Sequence, residues 1–241
     1  MSVDFDGTND YIVFTINTTG LNNVVTKTIS SWIYPDTWGE GAGGSFVDKR
    51  TPGNAGWFLA LDSANKALRY FSDFSTTDGE WRSETSSMNT GSWYHVAITY
   101  NRSNTANLPT FFINGSARTT TVKTQPVGTV TSDAPRRICF GADSATAVSF
   151  NGKMSETAMW NVALTDDEIK NLATSSVKGI PLQTRPDSLL MDIQLDDYPD
   201  GFVTIAGSSL FVDRSKNEIT GRSGVGTSNP IADAEEILSC P

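Results

Sequence analysis

Short apolar stretches recur along most of the 241-residue chain, and each ends within a few residues at Gly, Asn, Asp, Ser or Pro. In several of them apolar and polar residues alternate with a period of two, which is typical of a β-strand with one face toward a core. The clearest alternation covers residues 93–100. One face of that strand carries Tyr94, Val96, Ile98 and Tyr100. This pattern restricts the chain to folds made of many short strands joined by tight turns.

One hairpin and one helix can be placed within this pattern. The dipeptide Asn114-Gly115 follows an apolar stretch and predicts a two-residue hairpin turn. Thr165 followed by Glu168 forms a capping box, so we expect a helix near residues 165–174. The predicted fold class is therefore all-β, a two-sheet sandwich or jelly roll with one short helix.

Composition argues against several classes of function. The chain has 18 Lys and Arg residues against 27 Asp and Glu residues, and this formal net charge of −9 disfavours binding to the phosphates of nucleic acids. Its apolar runs are far shorter than the roughly 20 residues of a membrane-spanning helix. We therefore expect no nucleic-acid partner and no membrane span. The N-terminal residues contain no basic and apolar run, so no signal peptide is visible.

Histidine and cysteine are too scarce for a metal site rich in either residue, because the chain holds only His95, Cys139 and Cys240. The two cysteines are far apart in the sequence, and Cys139 lies in an apolar stretch. We expect Cys139 to be a buried free thiol.

Several segments together resemble the laminin-G-like family of concanavalin A-like jelly rolls. They cover residues 3–12, 28–35, 93–100, 111–115, 150–156 and 160–169. The first resembles the opening strand and turn of that family, the second a core strand, the next two its central hairpin, and the last two its final strand and closing helix. The resemblance implies a concanavalin A-like jelly-roll domain over residues 1–175. It leaves a C-terminal extension over residues 176–241, which we expect to pack back on the sandwich.

The extension contains a family pattern outside its usual place. Residues 189–196 and 213–217 resemble a segment that in this family comes before the Phe-Asp-Gly strand, here at residues 5–7. We infer that the extension folds back and fills the position of the missing first strand. A linker to a second copy of the domain is the alternative, and the sequence leaves both open.

A turn rich in oxygen ligands follows the first strand. Asp6, Asn9 and Asp10 lie within five residues, and calcium is held by several oxygen ligands at short range. The resemblance implies that Glu156, on the last strand, completes the set, although Ser155 stands where relatives often carry Asp. An ordinary Asp-Gly turn explains the same residues. Calcium is the cofactor that we expect, with this alternative left open.

Aromatic residues in loop-rich stretches suggest a surface for sugars, whose flat C–H faces stack on rings. The residues assigned to this glycan-binding surface are Trp38, Trp57, Tyr70 and Trp81. Other tryptophans lie in strong strand patterns and are assigned to the core: Trp32, Trp93 and Trp160.

The sequence does not show the acidic pair of a retaining glycosidase. Glu80 and Glu84 come nearest, but on a strand they would lie about 13 Å apart, against about 5 Å for such a pair. His95 has no serine or cysteine nucleophile in a recognisable setting. We predict that the protein is not an enzyme.

These observations favour a non-catalytic binding or decoration module that contacts surface glycans or virion proteins. Since no signal peptide is visible, lysis is one route out of the cell, and we favour a bacteriophage virion surface protein, either a capsid decoration or a tail adhesin. The expected localisation is the virion surface or the extracellular space. A glucanase-type glycoside hydrolase and a fragment of a secreted adhesion protein are the alternatives. The sequence leaves open whether the chain forms a homo-oligomer.

Overall fold

The computed structural model describes ten stretches of the chain. These are residues 2–8, 10–16, 18–50, 56–134, 136–142, 148–174, 180–195, 204–205, 208–215 and 220–224. Within these stretches, no helix is both long enough and apolar enough to cross a membrane.

Short antiparallel strands make up most of the described chain. They are β1 Val3–Asp6, β2 Tyr11–Ile16, β3 Thr26–Pro35, β4 Ser45–Arg50, β5 Gly56–Asp62, β6 Ala67–Ser72, β7 Gly79–Ser83, β8 Tyr94–Asn101, β9 Thr110–Ile113, β10 Ser116–Arg118, β11 Thr120–Thr124, β12 Ile138–Phe140, β13 Asn151–Trp160, β14 Leu189–Ile193, β15 Thr204–Ile205, β16 Ser208–Val212 and β17 Thr220–Gly224. The helices are α1 Asp166–Thr174 and α2 Ile180–Gln183, with 3₁₀ turns at Thr18–Leu21 and Pro186–Ser188.

The strands form two sheets that face each other. The first sheet has the order β1-β13-β3-β8-β9-β10, and β14 also pairs with β13. The second sheet has the order β11-β7-β6-β5-β4-β12-β2-β17-β16-β15. Apolar side chains from both sheets pack between them, among them Phe14, Leu59, Ile98 and Phe111. The predicted two-sheet sandwich with a short helix is therefore confirmed.

The predicted hairpin joins β9 to β10. Asn114 and Gly115 have φ angles of 50° and 74°, the left-handed conformation that a two-residue hairpin turn requires. A Cβ on Gly115 would lie 2.9 Å from the Cα of Lys170, so the turn also sits close to α1. The Asn114 side chain accepts a 3.0 Å hydrogen bond from the backbone N–H of His95 and ties the turn to β8.

The capping box at the start of α1 is also confirmed. The backbone N–H of Thr165 donates to Glu168 Oε2 at 2.8 Å, and the N–H of Glu168 donates to Thr165 Oγ1 at 3.3 Å. Ile169 and Leu172 are buried beneath the helix, on the outer face of the first sheet. Their partners in that apolar layer include Ala97, Phe112, Ala158, Trp160 and Leu189. Helix α1 therefore covers one part of this outer face.

Strands that follow residue 175 pair with both sheets. In the first sheet β14 pairs with β13, where Met191 lies opposite Met159. In the second sheet β17 pairs with β2. The carboxylate of Asp213 accepts hydrogen bonds from the N–H groups of Asp192 at 2.6 Å and Ser215 at 2.9 Å, which fixes the chain beside β14. The boundary between residues 175 and 176 stays a prediction.

Cys139 differs from the expectation of a free thiol, because it is disulfide-bonded. On β12 the alternation turns Ile138 and Phe140 into the core, so Cys139 points to the opposite face of the second sheet. There it packs with Tyr11 and Val13. The other cysteine of the chain, Cys240, lies outside the described residues.

Candidate functional site

Three aromatic side chains lie together on the part of the first sheet that α1 leaves uncovered. We call this surface the aromatic face; it comprises Trp32, Tyr34 and Trp93. Trp32 and Tyr34 alternate along β3 with Ile33, which is buried in the core between the sheets. Trp93 immediately precedes Tyr94, which packs against the same core. Since successive side chains of a strand point to opposite faces, all three rings lie on the outer side.

The rings of the aromatic face are held edge to face. Tyr34 and Trp93 have centroids 5.6 Å apart and ring planes at 61°. Trp32 packs in the same manner on the imidazole of His95, at 5.4 Å and 67°. Trp93 is 39% exposed, which makes it one of the few large apolar side chains of the described chain that face solvent. Edge-to-face pairs fix ring orientation, so the exposed indole is a positioned surface.

Polar side chains border the rings. Lys153 lies directly opposite Tyr34 on β13, with its Nζ 5.1 Å from the ring centroid. The same Nζ is 3.3 Å from the carboxylate of Asp36 and 3.9 Å from that of Asp4. Although slight burial works against the charged amine, the Asp36 hydrogen bond and the Asp4 carboxylate raise the pKa of Lys153 above its usual value. A charged donor and two acceptors therefore lie beside the aromatic face.

His95 lies directly opposite Trp32 on the adjacent strand β8 and carries no charge at neutral pH. It is 1% exposed, and burial lowers the pKa of its imidazole to about 3. Its Nε2 lies 2.8 Å from Ser30 Oγ, in a hydrogen bond within the sheet. The imidazole against which Trp32 packs is therefore neutral between about pH 5 and 8.

The predicted glycan-binding surface of Trp38, Trp57, Tyr70 and Trp81 is not found as such. Trp57, Tyr70 and Trp81 are fully buried, so their assignment to an exposed stacking surface is wrong. They lie on β5, β6 and β7 at the positions that face the first sheet, and Leu59 opposes Tyr70 across the strands. Trp38 is partly buried and packs against the same core.

The assignment of Trp32 and Trp93 to the core is also wrong, because both lie on the outer face of the first sheet. Both lie in strong strand patterns, as expected, but on the face away from the other sheet. The sequence could have indicated this, because Trp32 and Tyr34 alternate with Ile33. If Ile33 points into the central core, Trp32 and Tyr34 must point away from it. Trp160 is fully buried, under α1.

The predicted calcium ligands do not all come together. Asp10 Oδ2 accepts a hydrogen bond from the backbone N–H of Asp6 at 3.0 Å, which closes the turn, and Asn9 lies outside the described residues. Asp6 pairs in register with Asn151 on β13. Glu156 lies five positions further along that strand, about 16 Å away, so its inclusion in the set is wrong.

No group of three or more His, Cys, Asp or Glu side chains that could hold a metal ion occurs in the described stretches. Calcium binding by the turn with Asp6, Asn9 and Asp10 stays a prediction.

The two glutamates considered for catalysis are each paired with a cation. Glu80 accepts hydrogen bonds from the guanidinium of Arg69 and from Lys123 Nζ, the latter at 2.9 Å. Glu84 lies 3.5 Å from Arg118. These contacts are ion pairs along the outer surface of the second sheet.

Comparison with known families agrees with the resemblance found in the sequence. The sequence profile of the concanavalin A-like lectin/glucanases superfamily matches residues 6–170. The chain belongs to this superfamily. The matched residues begin at the end of β1 and extend into α1, so they include every strand that carries the aromatic face. No curated protein matches the sequence significantly.

Three solved structures share the architecture of this chain. A Bacteroides ovatus protein described as carbohydrate-binding has a TM-score of 0.64 and 20% identity, covering 92% of this chain and 57% of that one. This chain thus spans little more than half the length of that protein. A heptameric pentraxin of Limulus polyphemus has a TM-score of 0.53 and 14% identity, with 72% and 81% covered.

A carbohydrate-binding module of a Ruminococcus gnavus sialidase, solved with α2,3-sialyllactose, has a TM-score of 0.51 and 14% identity over 71% of this chain and 96% of that one. At these identities the three similarities show a common fold.

Proposed function

We propose that this protein is a carbohydrate-binding module and that the aromatic face holds the sugar. The observation that carries the proposal is the exposed indole of Trp93, fixed by Tyr34 on an otherwise open sheet surface. The C–H face of a sugar can stack on an exposed aromatic ring. Because this ring is already held in one orientation, no rearrangement of the protein is needed before the sugar binds. The Bacteroides ovatus and Ruminococcus gnavus proteins, which share the fold, support a role in carbohydrate binding.

The polar border explains how a sugar would be oriented on the rings. Lys153 donates hydrogen bonds, and the carboxylates of Asp36 and Asp4 accept them. Sugar hydroxyls do both, so each can pair with one of these groups while the ring stacks on Trp93. The three side chains are between 36% and 69% exposed and can exchange their mutual contacts for contacts with a ligand.

Replacement of Trp93 by alanine is expected to weaken binding at least about tenfold, since centrally placed aromatic anchors carry much of the binding energy at a contact surface. A glycan array identifies the ligand, and calorimetry with that ligand measures the dissociation constant of wild type and variant. Tyr34→Phe keeps the ring and is expected to bind more nearly as wild type. Trp38→Ala is the matched control, because Trp38 lies outside the aromatic face.

Array signals that persist in both Trp93→Ala and Tyr34→Ala would contradict the proposed site. Loss of binding in Trp38→Ala alone, with an unchanged melting temperature, would instead place the sugar at the loop predicted from sequence.

We propose further that binding is the whole activity. The ion pairs that hold Glu80 and Glu84 support this, because each carboxylate is already engaged with a cation. The alternative, a glucanase, is tested by incubation with laminarin or agarose. Release of reducing sugar, lost on substitution of either glutamate by glutamine, would establish it.

For the biological setting we propose the surface of a bacteriophage particle, as a capsid decoration or tail adhesin. A net charge of −9 on a β-sandwich suits an exposed particle surface. The protein is then expected in gradient-purified virions, detected by mass spectrometry at a constant ratio to the major capsid protein. Its absence from the particle would favour a secreted adhesion protein.

A further inference from the structure

A cluster of buried charges lies between the sheets, on the inner side and therefore away from the aromatic face. It consists of three cations and one carboxylate: Lys27, Lys49, Arg102 and Asp133. We call it the cationic cluster. The exposed fractions of these residues are 0%, 0%, 2% and 0%. Lys27 comes from β3, Lys49 from β4 and Arg102 from the turn after β8, so the strands of both sheets meet here.

Asp133 lies at the centre of the cluster and forms ion pairs with two of its cations. Its carboxylate lies 3.5 Å from Lys49 Nζ and 3.3 Å from Arg102 Nη1, and it accepts the backbone N–H of Asn23 at 2.6 Å. Lys49 Nζ also donates to the backbone carbonyl of Asp133 at 2.6 Å and to Asn22 Oδ1 at 2.9 Å. Lys49 Nζ thus has two hydrogen-bond acceptors without any further group.

Lys27 is left without a hydrogen-bond acceptor, and the Asp133 carboxylate that attracts its charge is shared with Lys49 and Arg102. Its Nζ is fully buried and has no hydrogen-bond partner; its nearest aromatic contact is the ring of Trp57, with the centroid at 4.8 Å. A ring face attracts a cation but provides neither a negative charge nor an acceptor atom. Other buried polar atoms of this region also lack a hydrogen-bond partner: Trp57 Nε1, Arg102 Nε, the hydroxyls of Tyr70 and Tyr100, and Asp133 Oδ2.

The cluster therefore lacks a second negative charge to balance its cations. Three formal cations face one carboxylate, and buried ammonium groups are normally paired. A water molecule would accept one hydrogen bond but would leave the excess charge unchanged. We propose that the cationic cluster holds a small monovalent anion of halide size, bound by the Lys27 ammonium and the donors around it.

Aromatic rings pack closely beside the cluster, and Tyr100 lies directly opposite Lys27 on β8. Tyr70, Trp81 and Tyr100 lie with centroids 5.1 to 6.1 Å apart, which is close contact. A monatomic ion needs less room in so closely packed a region than phosphate or sulfate. Without such an ion, burial and then the charge of Arg102 lower the pKa of Lys27 well below its usual value. The anion would keep the amine protonated at neutral pH.

The test is the melting temperature of the full chain at constant ionic strength, with chloride exchanged for gluconate. Because an ion that binds only the folded state stabilises it by mass action, the wild-type melting temperature is expected to rise by about 3–5 °C per tenfold increase of chloride above its dissociation constant. Lys27→Met should lose this dependence. Lys123→Met, which changes a lysine that is 47% exposed, should keep it.

A crystal grown in bromide gives an independent readout, in which we expect an anomalous peak within hydrogen-bonding distance of Lys27 Nζ. Equal wild-type melting temperatures in chloride and gluconate would overturn the proposal, as would a chloride effect of the same size in Lys27→Met. If Lys27→Met does not fold, the bromide crystal decides, and the absence of a peak at Lys27 overturns the proposal.

Discussion

Truncation of the chain before Pro186 is expected to abolish cooperative unfolding, because it removes β14 and the strands that follow it. The apolar residues lost with β14 and the turn after it are all buried: Leu189, Leu190, Met191, Ile193 and Leu195. Burial of one such side chain contributes about 1.5–3 kcal/mol. Five of them approach the whole stability of an ordinary domain, about 5–15 kcal/mol. Circular dichroism during heating should show no sharp transition in the truncated protein.

A point variant separates the loss of packing from the loss of chain length. Met191→Lys places a charge at a fully buried position of β14 and is expected to destabilise nearly as strongly as truncation. Gln183→Lys is the matched control, since Gln183 is exposed at the end of α2. An unchanged melting temperature after truncation would contradict this account and would favour the linker interpretation of residues 176–241.

Replacement of Asp133 by alanine is expected to lower the free energy of unfolding by about 3–5 kcal/mol, since removal of one partner leaves other buried charges uncompensated. Lys49 and Arg102 would lose their carboxylate, and the N–H of Asn23 would lose its acceptor. For a chain of this size the melting temperature should fall by roughly 6–20 °C. Glu84→Ala breaks a surface pair in which Glu84 is 37% exposed, and it should cost at most about 1 kcal/mol.

The ionisation of Asp133 also makes the free energy of unfolding depend on pH at acidic pH. Burial raises the pKa of its carboxyl, but Lys27, Lys49 and Arg102 outweigh that effect and hold it below the usual 3.8. A depressed pKa means that the folded state prefers the ionised form. The stabilisation by Asp133 is therefore complete when the pH is above the pKa of this carboxyl in the unfolded chain. It is lost as the pH falls through the lower pKa of the folded state. Asp133→Ala should lose this part of the acid dependence. If its stability falls with acid as steeply as that of wild type, the assignment to Asp133 is incorrect.

Local structure could be predicted from the sequence because local rules determine it. The turn at Asn114-Gly115 needs two residues that tolerate positive φ, and the start of α1 needs the reciprocal contacts of Thr165 and Glu168. Both features depend on residues within a few positions of each other. They were therefore recoverable without knowledge of which strands pair.

The faces of the strands could not be assigned in the same way. Alternation separates the two faces of a strand, but it does not say which face meets the other sheet, and here α1 gives the first sheet a second apolar layer. Trp93 was therefore assigned to the core although it is exposed, and Trp81 was assigned to the surface although it is buried. The cationic cluster depends on Lys27, Lys49 and Asp133 meeting across large sequence separations, which only the topology brings about.

Strand β13 has β3 on one side and two shorter neighbours end to end on the other. β1 pairs with its residues 151–154 and β14 with residues 157–160, and a register irregularity separates the two. A single continuous edge is thus shared by the beginning of the chain and a segment far downstream. A circular permutant that begins at Ile180 and ends at Thr174, with the old termini joined, would retain every one of these pairings. What the sandwich requires is that this edge be occupied, whichever end of the chain supplies the strand.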